Sequence, residues 1–343
     1  MENENLTYIE GRQLRQLMKE KLVAAGLPVA QAEKSEDLLI FADERGIHSH
    51  GAVRMRYYAE RIVKKGYNLE PQMKFEQTGP STGVFHGDNA LGHFVAYEAM
   101  QHAIDLAKES GLGAVGIYEM GHSGAIGYYA KQAAEAGMVA LTMCQSDPMV
   151  VPYGGTKPYY GTNPIAFASP RLDETPILFD MATTVQAWGK ILDAQSKGRT
   201  IPDTWAVDDK GHPTTDPNQV SALLPMAGAK GYGLMMMVDI LAGSLLGLPH
   251  GMHVTSMYKD LSEYRRLGQF HLVINPSFFG EQDVFLNKVE QMVKELHQIQ
   301  PANGFDNVYY PGEIQETVAK TYAQSGIPIP TDIVQYLESP TLY

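Results

Sequence analysis

Gly111-Leu112-Gly113-Ala114-Val115-Gly116 has the G-x-G-x-x-G spacing of a dinucleotide fingerprint. That fingerprint works only where it follows a strand and opens a helix, so that a pyrophosphate meets the helix N-terminus. Here the order is reversed: Ala103 to Glu109 is helical in pattern, and Ala114 to Ile117 is a short apolar strand. Gly111 therefore reads as a helix C-cap. No other Rossmann signature is present, so nicotinamide binding would need a different α/β fold. The strand runs into Met120-Gly121-His122-Ser123-Gly124-Ala125-Ile126, a Gly-rich turn ahead of a helical run from Ile126 to Ala136, with Ser123 as the expected N-cap. His122 stands at the tip of that turn, held on both sides, and its side chain suits proton transfer near neutrality. The alternative is a turn histidine of no chemical consequence.

The chain has 343 residues, 44% of them hydrophobic and 19% charged, enough for a large core and two domains. Its 27 basic and 39 acidic residues give a net charge of -12 without a basic block, which argues against nucleic acid and anionic membranes as partners. Cys144 is the only cysteine, which excludes an intrachain disulfide and suits a reducing cytoplasm. The N-terminal MENENLTYIEGRQ lacks the apolar core of a signal peptide. Leu234 to Leu248 is the longest apolar run. Interrupted by Asp239 and short for a bilayer, it reads as a buried helix.

Residues 8 to 65 read as helices, broken at Gly26-Leu27-Pro28 and by the loop Arg45 to Gly51. From about residue 75 to 280, short strands alternate with helices, which predicts an α/β domain. The tail returns to helix over Glu281 to Gln298 and Glu313 to Ser325. Head and tail, residues 1–74 and 281–343, are expected to form a discontinuous helical domain for dimerisation and the substrate site. It would pack beside an α/β domain of residues 75–280.

Several polar groups could serve such a site. His50, Arg54 and Tyr58 are four apart and share a face if a helix begins near His50. Arg54 would then offer a bidentate fork to a carboxylate, and the other two single hydrogen bonds; a solvated helix face is the alternative. His48, His50 and His122 could instead chelate zinc, although no carboxylate or cysteine stands at a convincing ligand spacing. Ser146 and Asp147 follow one strand, and Asp180-Met181-Ala182 follows another, the places where α/β sheets bind ligands. Asp180 could also be only a helix cap. Lys230-Gly231 opens the apolar helix and could meet an anion, or be an ordinary turn. Arg265 and Arg266 lie in a polar segment.

Gly46-Ile47-His48-Ser49-His50-Gly51, Gly121-His122-Ser123-Gly124, Gly161-Thr162-Asn163-Pro164, Phe179-Asp180-Met181-Ala182 and Lys230-Gly231-Tyr232-Gly233 together resemble the non-Rossmann malate/L-lactate dehydrogenase family, from about residue 8 to the end. The resemblance implies a sulfolactate dehydrogenase-like α/β NAD-binding domain with the discontinuous helical domain, and a cytoplasmic homodimer. It implies His122 as catalytic proton acceptor. It assigns His50, Arg54, Tyr58 and Arg265 to substrate, and Ser146, Asp180, Met181, Ala182, Lys230 and Gly231 to NAD, with no metal. Pro311-Gly312-Glu313 resembles a further family motif near the cofactor. Met143 to Pro152, Ala182 to Lys190 and Ile201 to Asp208 resemble the members that oxidise (S)-ureidoglycolate to oxalurate in allantoin breakdown, which sets the expected substrate. The alternatives are a sibling acting on malate, L-lactate or sulfolactate, and a zinc-dependent hydrolase or lyase.

Overall fold

The computed structural model describes residues 5–172 and 174–343. The head holds β1 (Leu6–Ile9), α1 (Gly11–Ala24), α2 (Val29–Glu44), two 3-10 turns at His48–His50 and Ala52–Arg54, and α3 (Met55–Val63). The central region follows with β2 (Lys74–Gly79), β3 (Thr82–His86), α4 (Gly92–Ser110), β4 (Leu112–Met120), α5 (Gly127–Glu135), β5 (Val139–Cys144), β6 (Ile165–Ser169) and β7 (Ile177–Met181). It continues through α6 (Trp188–Ser196), β8 (Ala206–Val207), β9 (Ala222–Leu223), α7 (Ala229–Ala242) and β10 (Leu267–Ile274). The tail is α8 (Gln282–Gln298), α9 (Glu313–Ser325), β11 (Ile327–Pro330) and α10 (Thr331–Glu338).

Seven strands form one mixed sheet in the order β2-β3-β4-β10-β5-β6-β7. Only β3 and β4 pair in parallel, and β10 lies antiparallel between β4 and β5. The pleat sends Ala140, Thr142 and Cys144 of β5 to one face and Leu141 and Met143 to the other. The first face packs on α4 and α5 within the main core, and the second meets Leu234, Val238 and Leu241 of α7. The central sheet is thus an α/β/α sandwich. Gly111 ends α4 in the left-handed region at φ 84°, as a C-cap should. At Gly113 a Cβ would lie 1.9 Å from the Ala103 carbonyl, so glycine is what lets β4 run against α4. The G-x-G-x-x-G spacing thus reflects helix–strand packing.

Three expectations are corrected. Tyr8 and Ile9, the expected start of the first helix, belong instead to the strand Leu6–Ile9. It pairs antiparallel with β11, Leu6 opposite Pro330 and Ile9 opposite Ile327. Ser123 is not a helix cap: α5 begins at Gly127, and the buried Ser123 hydroxyl donates to Gln269 Oε1 at 2.7 Å. The apolar run of α7 is buried on one side only, through Met235, Val238 and Ala242, while Met237 and Ile240, and Leu245 in the 3-10 turn after it, are exposed. By length and composition Ala229–Leu246 could cross a membrane. Here the α-helix ends at Gly243 and one side lies on the sheet.

Tail elements contact two regions. Lys21 of α1 donates to the Ser339 and Thr341 carbonyls. Arg45 donates to Glu316 of α9 through Nε at 2.9 Å and through a terminal nitrogen at 2.8 Å. By contrast α8 lies on the sheet side, where Val289 and Val293 pack with Ile177 of β7.

Candidate active site

The carboxyl ends of β3, β4, β5 and β7 point the same way as the amino ends of β10 and β6, because the antiparallel neighbours run opposite. Ligands in open α/β sheets bind at this edge. His122 leaves the end of β4 there and is partly buried. Its Nδ1 lies 2.8 Å from Tyr58 Oη, and its ring is stacked 6.2 Å from that of His50 at 20°. Its Nε2 makes no hydrogen bond among the described residues and is not sealed from solvent.

The loop before α3 brings His50 and Arg54 to this place. Buried Asp43 anchors it, with Oδ1 accepting from His48 Nδ1 at 2.9 Å and Oδ2 from the Ala52 amide at 2.7 Å. Arg54 donates through Nε to the Ser49 carbonyl at 2.7 Å and through a terminal nitrogen to Tyr258 Oη at 2.9 Å. Two 3-10 turns replace the expected first helical turn, so the four-residue spacing does not set one α-helical face. Tyr58, expected beside a substrate carboxylate, is fully buried, and its hydroxyl lies between His122 and His93 Nε2, the latter at 3.0 Å.

Arg265 approaches from the segment before β10 and is buried. One terminal nitrogen donates to Asp147 Oδ1 at 3.2 Å and to the Thr255 carbonyl at 2.9 Å, while the other is buried without a partner. Asp147 also accepts from the Met257 amide at 3.0 Å, so its carboxylate orients Arg265. A cavity of about 350 Å³ lined by Gln145, Val254, Thr255 and Arg265 opens beside this pair.

Burial, then the surrounding His50, Arg54, His93 and Arg265, holds the pKa of His122 well below the usual histidine value. Burial, then Arg54, brings His50 down to about 4. His122 is therefore a neutral base in a field that attracts anions. Burial also pushes His93 and His271 to about 3. On unfolding, these three histidines take up protons near the usual 6.5 that the folded state refuses. Their contribution to stability is complete above about pH 6.5 and is lost as pH falls towards 4 and then 3. Melting temperature should therefore drop progressively below pH 6.5. A flat Tm down to pH 4 would mean that these rings ionise freely.

On the far side of the same edge, Ser146 Oγ accepts from the Thr162 amide at 2.7 Å. Met181 pairs with Ile165, and the Met226 amide just before α7 donates to the Thr183 carbonyl at 3.0 Å. These links bring Ser146, Met181-Ala182 and Lys230-Gly231 together. The exposed Lys230 lies in the first turn of α7 and forms no ion pair among the described residues. Asp180 accepts from the Gly127 amide at 2.7 Å, so it holds the start of α5 and not that of the helix following it in sequence. The Pro311 carbonyl accepts from the Leu178 amide at 3.1 Å, which sets Pro311-Gly312-Glu313 beside β7.

A family model described as malate/L-lactate dehydrogenase matches residues 9–338. The chain belongs to the malate/L-lactate dehydrogenase family. It is 56% identical over 330 residues to the ureidoglycolate dehydrogenase (NAD(+)) of Escherichia coli O157:H7, covering 96% of this chain and 95% of that protein. It is 36% identical to the malate dehydrogenase of Pyrococcus horikoshii, covering 98% of this chain and 95% of the relative. The solved sulfolactate dehydrogenase from Methanocaldococcus jannaschii matches with a TM-score of 0.90 at 33% identity, over 97% and 96% of the two chains. The α/β fold expected from the sequence is thus the fold observed.

Within this malate/L-lactate dehydrogenase family member, the zinc reading loses its geometry. His48 is turned to Asp43, and among the described residues no three His, Cys, Asp or Glu side chains cluster to hold a metal. Sequence reasoning passed over His93 and Gln269. Each lies on the buried face of a regular element, and their only signal was a polar side chain inside an apolar pattern.

Proposed function

We propose that the protein oxidises (S)-ureidoglycolate to oxalurate with NAD, in allantoin breakdown, as a cytoplasmic homodimer. The observation that carries the chemistry is His122 Nε2, open to solvent, on a neutral ring influenced by both Arg54 and Arg265. The substrate is supported by the identity with the bacterial relative named for it. NAD, when bound, would supply the acceptor for the hydride of the carbinol carbon. His122 Nε2 accepts the hydroxyl proton and later releases it to solvent. Arg54 and the unpartnered nitrogen of Arg265 hold the carboxylate, with His50 beside them, which fixes the face of the carbinol presented for oxidation. The bound anion also raises the proton affinity of His122 as the proton arrives.

The cofactor side fits a dinucleotide. The exposed Lys230 ammonium at the start of α7 suits a pyrophosphate, and Ser146, Asp180, Met181, Ala182, Lys230 and Gly231 would hold NAD, with Pro311-Gly312-Glu313 at its margin. Self-association is supported by the apolar Met237 and Ile240 exposed on α7 and Leu245 exposed in the 3-10 turn that follows it. The division into residues 1–74 with 281–343 and residues 75–280 belongs to the same reading. The β1–β11 ladder and the Arg45–Glu316 pair support it; α8 lies nearer the sheet.

Mixing the enzyme and NAD with (S)-ureidoglycolate, malate and L-lactate in turn, and following NADH absorbance, tests the substrate. Turnover of malate without turnover of ureidoglycolate would overturn it. Arg54→Lys should raise KM while changing kcat less, since lysine cannot form the guanidinium fork. An unchanged KM would remove Arg54 from the substrate site.

A further inference from the structure

Tyr58 and His93 stand behind His122, and the proton transfer above does not use them. Both are fully buried, and the His93 ring meets the Tyr58 ring edge-on at 4.6 Å and 76°. Tyr58 Oη lies 2.8 Å from His122 Nδ1 and 3.0 Å from His93 Nε2. The far atom of the chain, His93 Nδ1, is buried without a partner. A buried polar chain with an open end is a poor way to fill a core, where an apolar side chain would leave nothing unsatisfied.

We propose that His93, acting through the Tyr58 hydroxyl, is a positioning residue that fixes the ring orientation and tautomer of His122. The inference rests on His122 being the proton acceptor. For Nε2 to accept, the ring hydrogen must be on Nδ1. That N–H then donates to Tyr58 Oη, and the Tyr58 hydroxyl donates to His93 Nε2, which puts the His93 hydrogen on Nδ1. The other neutral arrangement that leaves His122 Nε2 free has both rings donating to Tyr58 Oη, and it strands the Tyr58 proton without a partner in the core. Removing the Tyr58 hydroxyl or the His93 acceptor lets the opposite tautomer compete, with a hydrogen on Nε2 where the substrate proton should go. His93 itself takes no proton, since burial holds it at about 3.

The test is a double-mutant cycle of Tyr58→Phe and His93→Phe, with His93→Gln as the conservative variant and His122→Ala alongside. kcat, KM for (S)-ureidoglycolate and the melting temperature are measured for each. Each single variant should lower kcat by about 10²-fold with KM nearly unchanged. The double variant should be no slower than either single one, because both break the same chain. His93→Gln, which keeps an acceptor near the old Nε2, should recover part of the rate. Wild-type kcat in folded His93→Phe, or additive losses in the double variant, would overturn the proposal. If His93→Phe does not fold, Tyr58→Phe decides: an unaltered kcat, or a loss confined to KM, overturns it. Should His122→Ala stay active, the proton-acceptor reading fails; an inactive His122→Ala with a fully active His93→Phe sinks the positioning role alone.

Discussion

His122→Ala should lower kcat by about 10²- to 10⁴-fold and leave NAD affinity close to that of the parent protein. On the proposed reading the ring supplies the acceptor at the end of β4, and no described side chain stands ready in its place. His50 lies 6.2 Å away ring to ring, with its Nδ1 engaged by Ser49 Oγ at 2.9 Å. Tyr58 is sealed in the core, with its hydroxyl engaged. Water entering the vacated space could accept a proton, but as a far weaker base. Cofactor affinity should survive because Ser146, Met181 and Lys230 hang on β5, β7 and α7, whose contacts do not pass through the histidine ring. Steady-state kinetics and a titration of NAD against protein fluorescence separate the two effects. Parent-like kcat would end the assignment, and a collapse of NAD binding would show that the ring orders the cofactor side.

Asp147→Ala should destabilise the fold by about 3–5 kcal/mol, the cost of removing one partner from a buried ion pair. Asp147 and Arg265 are only 7% and 3% exposed, and one carboxylate serves both Arg265 and the Met257 amide. Alanine leaves a buried guanidinium with one of its nitrogens already lacking a partner, so water must enter or the segment from Thr255 to Arg265 must move. With Arg265 in its proposed substrate role, the same change should also raise KM, since its guanidinium would no longer be held in place. Urea unfolding of the two proteins measures the first effect. A loss under about 1 kcal/mol, the size typical of an exposed pair, would mean that Arg265 is solvated in the parent protein.

The sheet domain was legible because local signals agreed. Gly111 had to end a helix, and the apolar runs of β4, β5 and β10 were flanked by turn residues. His122 could be singled out because it stood in a turn between two such elements. What stayed hidden depended on distant neighbours. The extended form of Leu6–Ile9 comes from β11, not from its own periodicity. Ser123 has the chemistry of a cap but is claimed by Gln269. Asp147 could have faced a histidine or an arginine, and only the path of the segment before β10 decides. Tyr58 shared the spacing of His50 and Arg54, yet the 3-10 turns rotate it into the core.

The ladder between β1 and β11 also imposes an order in time. Thr7 and Thr331, whose hydroxyls lie 2.9 Å apart, are separated by 324 residues. At ordinary rates of synthesis the first strand waits on the order of tens of seconds for its partner to leave the ribosome. The sheet, with the residues assigned to NAD, can close before then. The loop bearing His50 and Arg54 is braced from behind by α9, through Arg45 and Glu316, and α9 is also made late. The nascent enzyme should therefore acquire its cofactor side first and its grip on the hydroxy acid last. A chain stopped short of Glu313 would keep the first without the second.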